Sequence, residues 1–138
     1  MNKLNRKLEY SLMALKHMAS KKPGELTTAK EIADCYKAPF DATARVMQLM
    51  AQKGLLKVEH GSLGGYQITR DLSKVSMLDL FEAIQGPNKI ARCIDKDIKS
   101  EEPCGIHSMC NIMPSILNLN RRLNAFYSGL KLNEILFR

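Results

Sequence analysis

Three cysteines, Cys93, Cys104 and Cys110, stand within one polar stretch that also holds Asp95, Lys96, Asp97, Lys99, Glu101, Glu102, Pro103 and Gly105. A structural cysteine usually hides as a small hydrophobe in an apolar run. These three lie among charges and turn formers, where a loop can gather several soft, anionic sulfurs around one metal centre. Left without metal, the same thiols could sense oxidants by forming a disulfide. His107 sits between the last two and adds an imidazole, a group that also binds iron. Cys35 stands apart, after Glu31-Ile32-Ala33-Asp34 in a helical stretch, and is expected to be a buried, inert thiol. No paired general acid and base stands in a recognisable frame, so the chain does not read as an enzyme.

Such a loop needs elements to position it. Leu4, Leu8, Leu12, Leu15 and Met18 recur at steps of three and four and predict a first amphipathic helix, stopped by Pro23-Gly24. Thr28-x-x-Glu31 predicts a capping box opening a second helix that runs to about Cys35. After Tyr36-Lys37-Ala38-Pro39 a third helix is expected from about Phe40 to Lys53, and two helices so spaced suggest a helix-turn-helix. Leu55 to Glu59 and Tyr66 to Thr69 flank the turn His60-Gly61-Ser62-Leu63-Gly64-Gly65 and predict a hairpin. That turn lacks the Lys-Ser/Thr of a phosphate-cradling loop and opens no helix. Met77 to Ile84 predicts a further helix ended by Gly86-Pro87. Ile112, Ile116, Leu117, Leu119, Leu123 and Phe126 predict a long helix to about Tyr127, which either packs on its own chain or forms a dimer seam.

The expected fold is therefore mainly α with a small β-hairpin, a winged helix-turn-helix followed by a long C-terminal helix. Residues 1–75 form the winged-helix DNA-binding region and residues 76–138 the cysteine loop and dimerisation helix, in one compact domain overall. At 138 residues such a chain buries roughly two thirds of the surface it exposes when unfolded. Residues 1–75 carry thirteen Lys and Arg against seven Asp and Glu, while residues 76–138 carry eight against seven. The first part, at net +6, is the candidate polyanion binder. On the third helix Thr43, Arg45 and Gln48 can offer groove or phosphate contacts, while Val46, Met47 and Met50 suit the core side. Lys53 and Lys57 are expected to meet phosphates. No apolar run approaches the roughly 20 residues of a membrane span, and the N-terminus lacks an export signal, so a cytoplasmic protein with reduced cysteines is expected.

Taken in order, Glu9-Tyr10-Ser11-Leu12-Met13-Ala14-Leu15, Thr28-x-x-Glu31-Ile32-Ala33, Lys53-Gly54-Leu55-Leu56, Gly61-x-x-Gly64-Gly65-Tyr66 and Met77 through Pro87 with the cysteine loop resemble the Rrf2 family of bacterial winged-helix regulators. The resemblance covers nearly the whole chain. It implies a homodimer whose long helices pack on each other and whose recognition helices meet successive major grooves of a roughly palindromic duplex DNA operator. It implies an iron–sulfur cluster, of the 2Fe–2S or 4Fe–4S type, held by Cys93, Cys104 and Cys110. A cluster-free, thiol-based redox sensor of the same fold is the alternative. Five residues separate Cys104 from Cys110, as in the family, while the ten between Cys93 and Cys104 exceed the family's interval and leave the cluster type open. Three cysteines leave a fourth position. The resemblance places there Glu9 of the partner subunit, with His107 as the alternative; Met113, where other members have a nitrogen ligand, replaces it poorly. In the wing, Ser62 and the positions where the family often has arginine, here His60 and Gln67, are expected to meet DNA.

Overall fold

A computed structural model describes residues 4–91 and 109–137. Helix α1, Arg6–Ala19, starts where the Asn5 side chain accepts a hydrogen bond from the Leu8 amide at 2.9 Å. Its buried stripe is Leu8, Ser11, Ala14, Leu15 and Met18, with Leu12 only half-buried and Leu4 exposed before the helix begins. The small Ser11 and Ala14 let α3 approach, and the Ser11 hydroxyl donates to the Leu8 carbonyl at 2.8 Å, so its burial strands no polar group.

Helix α2 is Ala29–Tyr36 and α3 is Phe40–Gln52. Between them Lys37 takes the left-handed conformation (φ 52), which turns the chain sharply enough to set the two helices as a helix-turn-helix. Thr28 caps α2, accepting from the Glu31 amide at 3.0 Å. The reciprocal half of the expected capping box is absent, because the Glu31 carboxylate is drawn to His17 and Lys21 instead.

Strands β1, Leu56–Glu59, and β2, Gly65–Ile68, pair antiparallel with Leu56 opposite Ile68, Lys57 opposite Gln67 and Val58 opposite Tyr66. The hairpin is stitched to the helix-turn-helix: the Tyr66 amide donates to the Thr27 carbonyl at 2.8 Å and the Thr27 amide to the Tyr66 carbonyl at 2.9 Å. Wing and α2 thereby share a backbone bridge one residue before the α2 cap.

Helix α4, Met77–Gln85, opens with a capping box in which Ser76 and Asp79 each bond the other's amide. Helix α5, Met113–Gly129, has no buried residue. A short helix not foreseen from sequence, α6, Leu132–Leu136, follows it. Its approach is fixed by backbone bonds from Met77 to Leu130 (2.8 Å) and from Leu132 to Val75 (2.9 Å). Leu132 and Leu136 join one core with Leu8, Leu15, Ile32, Val46, Met47, Met50, Leu80 and Phe81. Burying a leucine completely contributes about 1.5–3 kcal/mol, so α6 shares the core of the helix-turn-helix despite its distance in sequence.

Candidate nucleic-acid interface and sensor loop

The four buried residues of α3, Thr43, Val46, Met47 and Met50, define its inner face. Val46, Met47 and Met50 lie there as expected. Thr43 lies there too, completely buried, with its hydroxyl donating to the Pro39 carbonyl at 2.8 Å. The expected groove contact by Thr43 is therefore corrected: three and seven residues ahead of Val46 and Met50, it belongs to their stripe. Arg45 and Gln48 are exposed on the outer face. Sequence reasoning missed Asp41 and Gln52, which share that outer face; the helical period, anchored on Val46, was the signal that could have found them. Among the described residues neither Asp41 nor Arg45 enters an ion pair.

Lys53 is exposed at the end of α3. Lys57 extends from β1 beside its strand neighbour Glu59, Nζ to Oε1 3.2 Å, and directly across from Gln67, so these three occupy one face of the hairpin. An exposed pair like Lys57–Glu59 is worth only about 0–1 kcal/mol, and a phosphate can displace the carboxylate. His60 and Ser62 are exposed at the turn, and Gln67 is half-buried. Arg45 and Gln48 on α3, Lys53 just after it, and Lys57, His60 and Ser62 of the hairpin are thus all exposed polar groups on the helix-turn-helix and its wing.

Behind this face, α1 and α2 are clamped by a polar cluster that sequence reasoning did not foresee. His17 Nε2 meets Glu31 Oε2 at 2.5 Å, His17 Nδ1 meets the Tyr36 hydroxyl at 2.8 Å, and Lys21 Nζ donates to Glu31 Oε1 and to the Leu26 carbonyl, each at 2.9 Å. The Lys21 hydrogen bond holds the Glu31 carboxyl below the usual carboxylate range, burial opposes this, and His17 adds to the lowering.

Of the expected sensor residues, Cys93, Cys104 and His107 lie outside the described residues. Cys110 is a half-buried free thiol three residues before α5, and Met113 is the first residue of that helix, also half-buried. Glu9, in the first turn of α1, is paired with Arg6 at 2.9 Å in a largely exposed contact that another partner could replace. Cys35 corrects an expectation: it is exposed, because Ile32 and Ala33 turn inward and put it on the outer face of α2. Among the described residues no three His, Cys, Asp or Glu side chains form a metal-holding group.

Helix α5 rests on α4 through Tyr127, whose ring stands edge-on to Phe81 at 4.7 Å. Asn120 and Asn124 hold the chain that leads toward the cysteine loop. Asn124 accepts from the Asn88 side chain at 3.0 Å, and Asn120 accepts from the Ile90 amide at 3.1 Å. Leu117, Leu119 and Phe126 of α5 are exposed, Phe126 by 63%; Leu119 and Phe126 share one flank of the helix and Leu117 lies on the opposite one.

A helix-turn-helix with a hairpin wing, within a first 75 residues of net basic charge, followed by a separate helix carrying exposed apolar residues, defines a winged-helix DNA-binding protein. The Rrf2 family model, described as iron-dependent transcriptional regulator, matches residues 4–138, and the chain belongs to this family of DNA-binding regulators, which are not enzymes. The chain is similar to the HTH-type transcriptional regulator NsrR of Bacillus subtilis (strain 168), with 26% identity over 110 residues, covering 80% of this chain and 73% of that protein. In fold it is similar to CymR, the global cysteine regulator of B. subtilis, with TM-score 0.67, 18% identity, and 99% and 97% of the two chains covered. IscR of T. potens also has this fold, with TM-score 0.67, 16% identity, and 98% and 86% covered. No helix among the described residues is long and apolar enough to cross a membrane.

Proposed function

We propose that this regulator binds a roughly palindromic operator as a homodimer, and that an iron–sulfur cluster held by Cys93, Cys104 and Cys110 controls its affinity. The observation that carries the reading is the position of Cys110. It is a half-buried thiol just ahead of α5, and α5 leans on α4 through Tyr127 and Phe81, while α4 and α3 share the core. A change at the thiols therefore has a packed route to the helix that reads DNA. The donor set fits: three soft thiolates satisfy most of an iron–sulfur site. Glu9 of the partner subunit is the proposed fourth ligand and His107 the alternative. When bound, the cluster supplies a centre that oxidants or nitric oxide can modify. The chain's own residues do the rest: Arg45, Gln48, Lys53, Lys57, His60, Ser62 and Gln67 face the duplex, and Leu119 and Phe126, which share one flank of α5, cover their counterparts across the dimer.

Anaerobic purification with absorbance, iron and sulfide analysis tests this. The expected product is brown with near-stoichiometric iron and sulfide, colourless as Cys110→Ala, and still brown as Cys35→Ala. A colourless wild-type protein with oxidant-dependent thiols would replace the cluster with thiol-based sensing.

A further inference from the structure

Leu63 is 87% exposed, more than any other large apolar side chain in the described residues. It is also held there by construction. The turn that carries it closes with the Gly64 amide donating to the Gly61 carbonyl at 3.1 Å. Gly61 has φ +113, a conformation that side-chain-bearing residues rarely adopt. At Gly64 an added Cβ would stand 2.7 Å from the Glu59 carbonyl oxygen, so the backbone packs back on itself where any other residue would force it open. Behind the turn, the bridge between Thr27 and Tyr66 fixes the hairpin to the helix-turn-helix. The result is an apolar side chain on a stiff tip, next to His60 and Ser62 in the turn, with Lys57 in the strand that leads to it.

We propose that Leu63 is a specificity-determining residue that enters the minor groove of the operator and selects A·T over G·C pairs there. The proposal rests on the DNA-binding reading and deepens it. The occupant is argued from charge and continuity. The tip belongs to a hairpin that carries Lys57, within a first 75 residues of net basic charge, and apolar wedges are a recurrent means by which proteins engage the minor groove. The selectivity follows from the groove floor. A·T pairs present only acceptors there, whereas a G·C pair adds the guanine N2 amino group. A leucine pressed on that floor would fill the space of the amino group and bury its donor without a partner, which is costly. His60 and Gln67 stand in the wing where a permanent charge could otherwise supply the attraction, so shape carries more of the readout.

Inosine isolates this contact, because an inosine·cytosine pair keeps the major-groove pattern of G·C but lacks the N2 amino group. In a duplex selected by the full-length protein from a random pool, G·C pairs are introduced singly at A·T positions, and each is then replaced by inosine·cytosine. At one or two positions per half-site, wild type should lose about tenfold in affinity with G·C and regain it with inosine. Leu63→Ser should bind the three duplexes alike, with unchanged thermal melting because the side chain is exposed, and Leu63→Met should retain the discrimination. Absence of any inosine-rescued position overturns the proposal, as does a Leu63→Ser protein that discriminates like wild type. A Leu63→Ser protein with unaltered DNA binding but altered mass in solution would assign the residue to a contact between copies, and the proposal falls. Failure of wild type to bind any duplex would overturn the DNA-binding reading itself, a result separable from all of these.

Discussion

At the scale of single residues, burial separates groups that composition treats alike. Arg45 and Thr43 were both reasonable DNA contacts by chemistry, yet only Arg45 is outside. A threonine can satisfy its hydroxyl on its own helix backbone, as Thr43 does, and then counts as a small core residue; residue type alone does not reveal which option is taken. Cys35 shows the opposite case, a thiol on the outer face of a helix too short to average its periodicity. Glu31 was legible as a capping partner, but the groups that took its carboxylate, His17 in α1 and Lys21 just past its end, lie fourteen and ten residues away. Its lowered carboxyl fixes the sign of a pH effect. A carboxyl depressed in the folded state contributes stability above its unfolded pKa, and that contribution disappears as pH falls through the folded one. Glu31→Gln should therefore be less stable than wild type at neutral pH, by no more than about 1 kcal/mol given its partial exposure, and the difference should vanish in acid. Urea midpoints between neutral and strongly acid pH measure it; a difference that persists undiminished in acid would assign the loss to packing.

At the scale of elements, the helices and the wing were legible because each carries its own period and its own stop signal. The α3 stripe, Gly54 and the glycine-rich turn are local features. Helix α6 was not legible, since five residues are too few to display a helical period and its place is set by partners far away in sequence, Val75 and Leu72 among them. Its contribution is nonetheless central: Leu132 is wholly buried in the core shared with α1, α3 and α4. Leu132→Ala should cost about 2–5 kcal/mol in chemical denaturation, comparable to truncating Met50 or Leu80, and should weaken DNA binding through the unfolded fraction alone. A loss under about 1 kcal/mol would show α6 to be an appendage. The apolar repeat of α5 was equally readable, but the repeat does not say what covers it. The structure shows Tyr127 facing Phe81 and leaves Leu117, Leu119 and Phe126 outside, available to a second copy.

At the scale of the whole molecule, charge asymmetry was visible in the sequence and its geometry was not. Among the basic residues of the first 75 positions, Arg45, Lys53 and Lys57 are exposed on or next to the helix-turn-helix and the hairpin. If Lys57 meets a phosphate in each half of a dimer, Lys57→Ala should reduce the slope of log affinity against log salt by about two units, while Gln48→Ala should change base preference and leave the slope nearly alone. Equal slopes for wild type and Lys57→Ala would place Lys57 with Glu59 and away from the DNA. The backbone bonds that tie Leu130 and Leu132 to Met77 and Val75 have a further consequence, one of timing. The core beneath the recognition helix is completed by Leu132 and Leu136, which leave the ribosome only after the cysteines have been made. A nascent chain therefore lacks the last contacts of the core beneath α3 until Cys93, Cys104 and Cys110 have all been made, so synthesis places the cysteine stretch ahead of the finished helix-turn-helix.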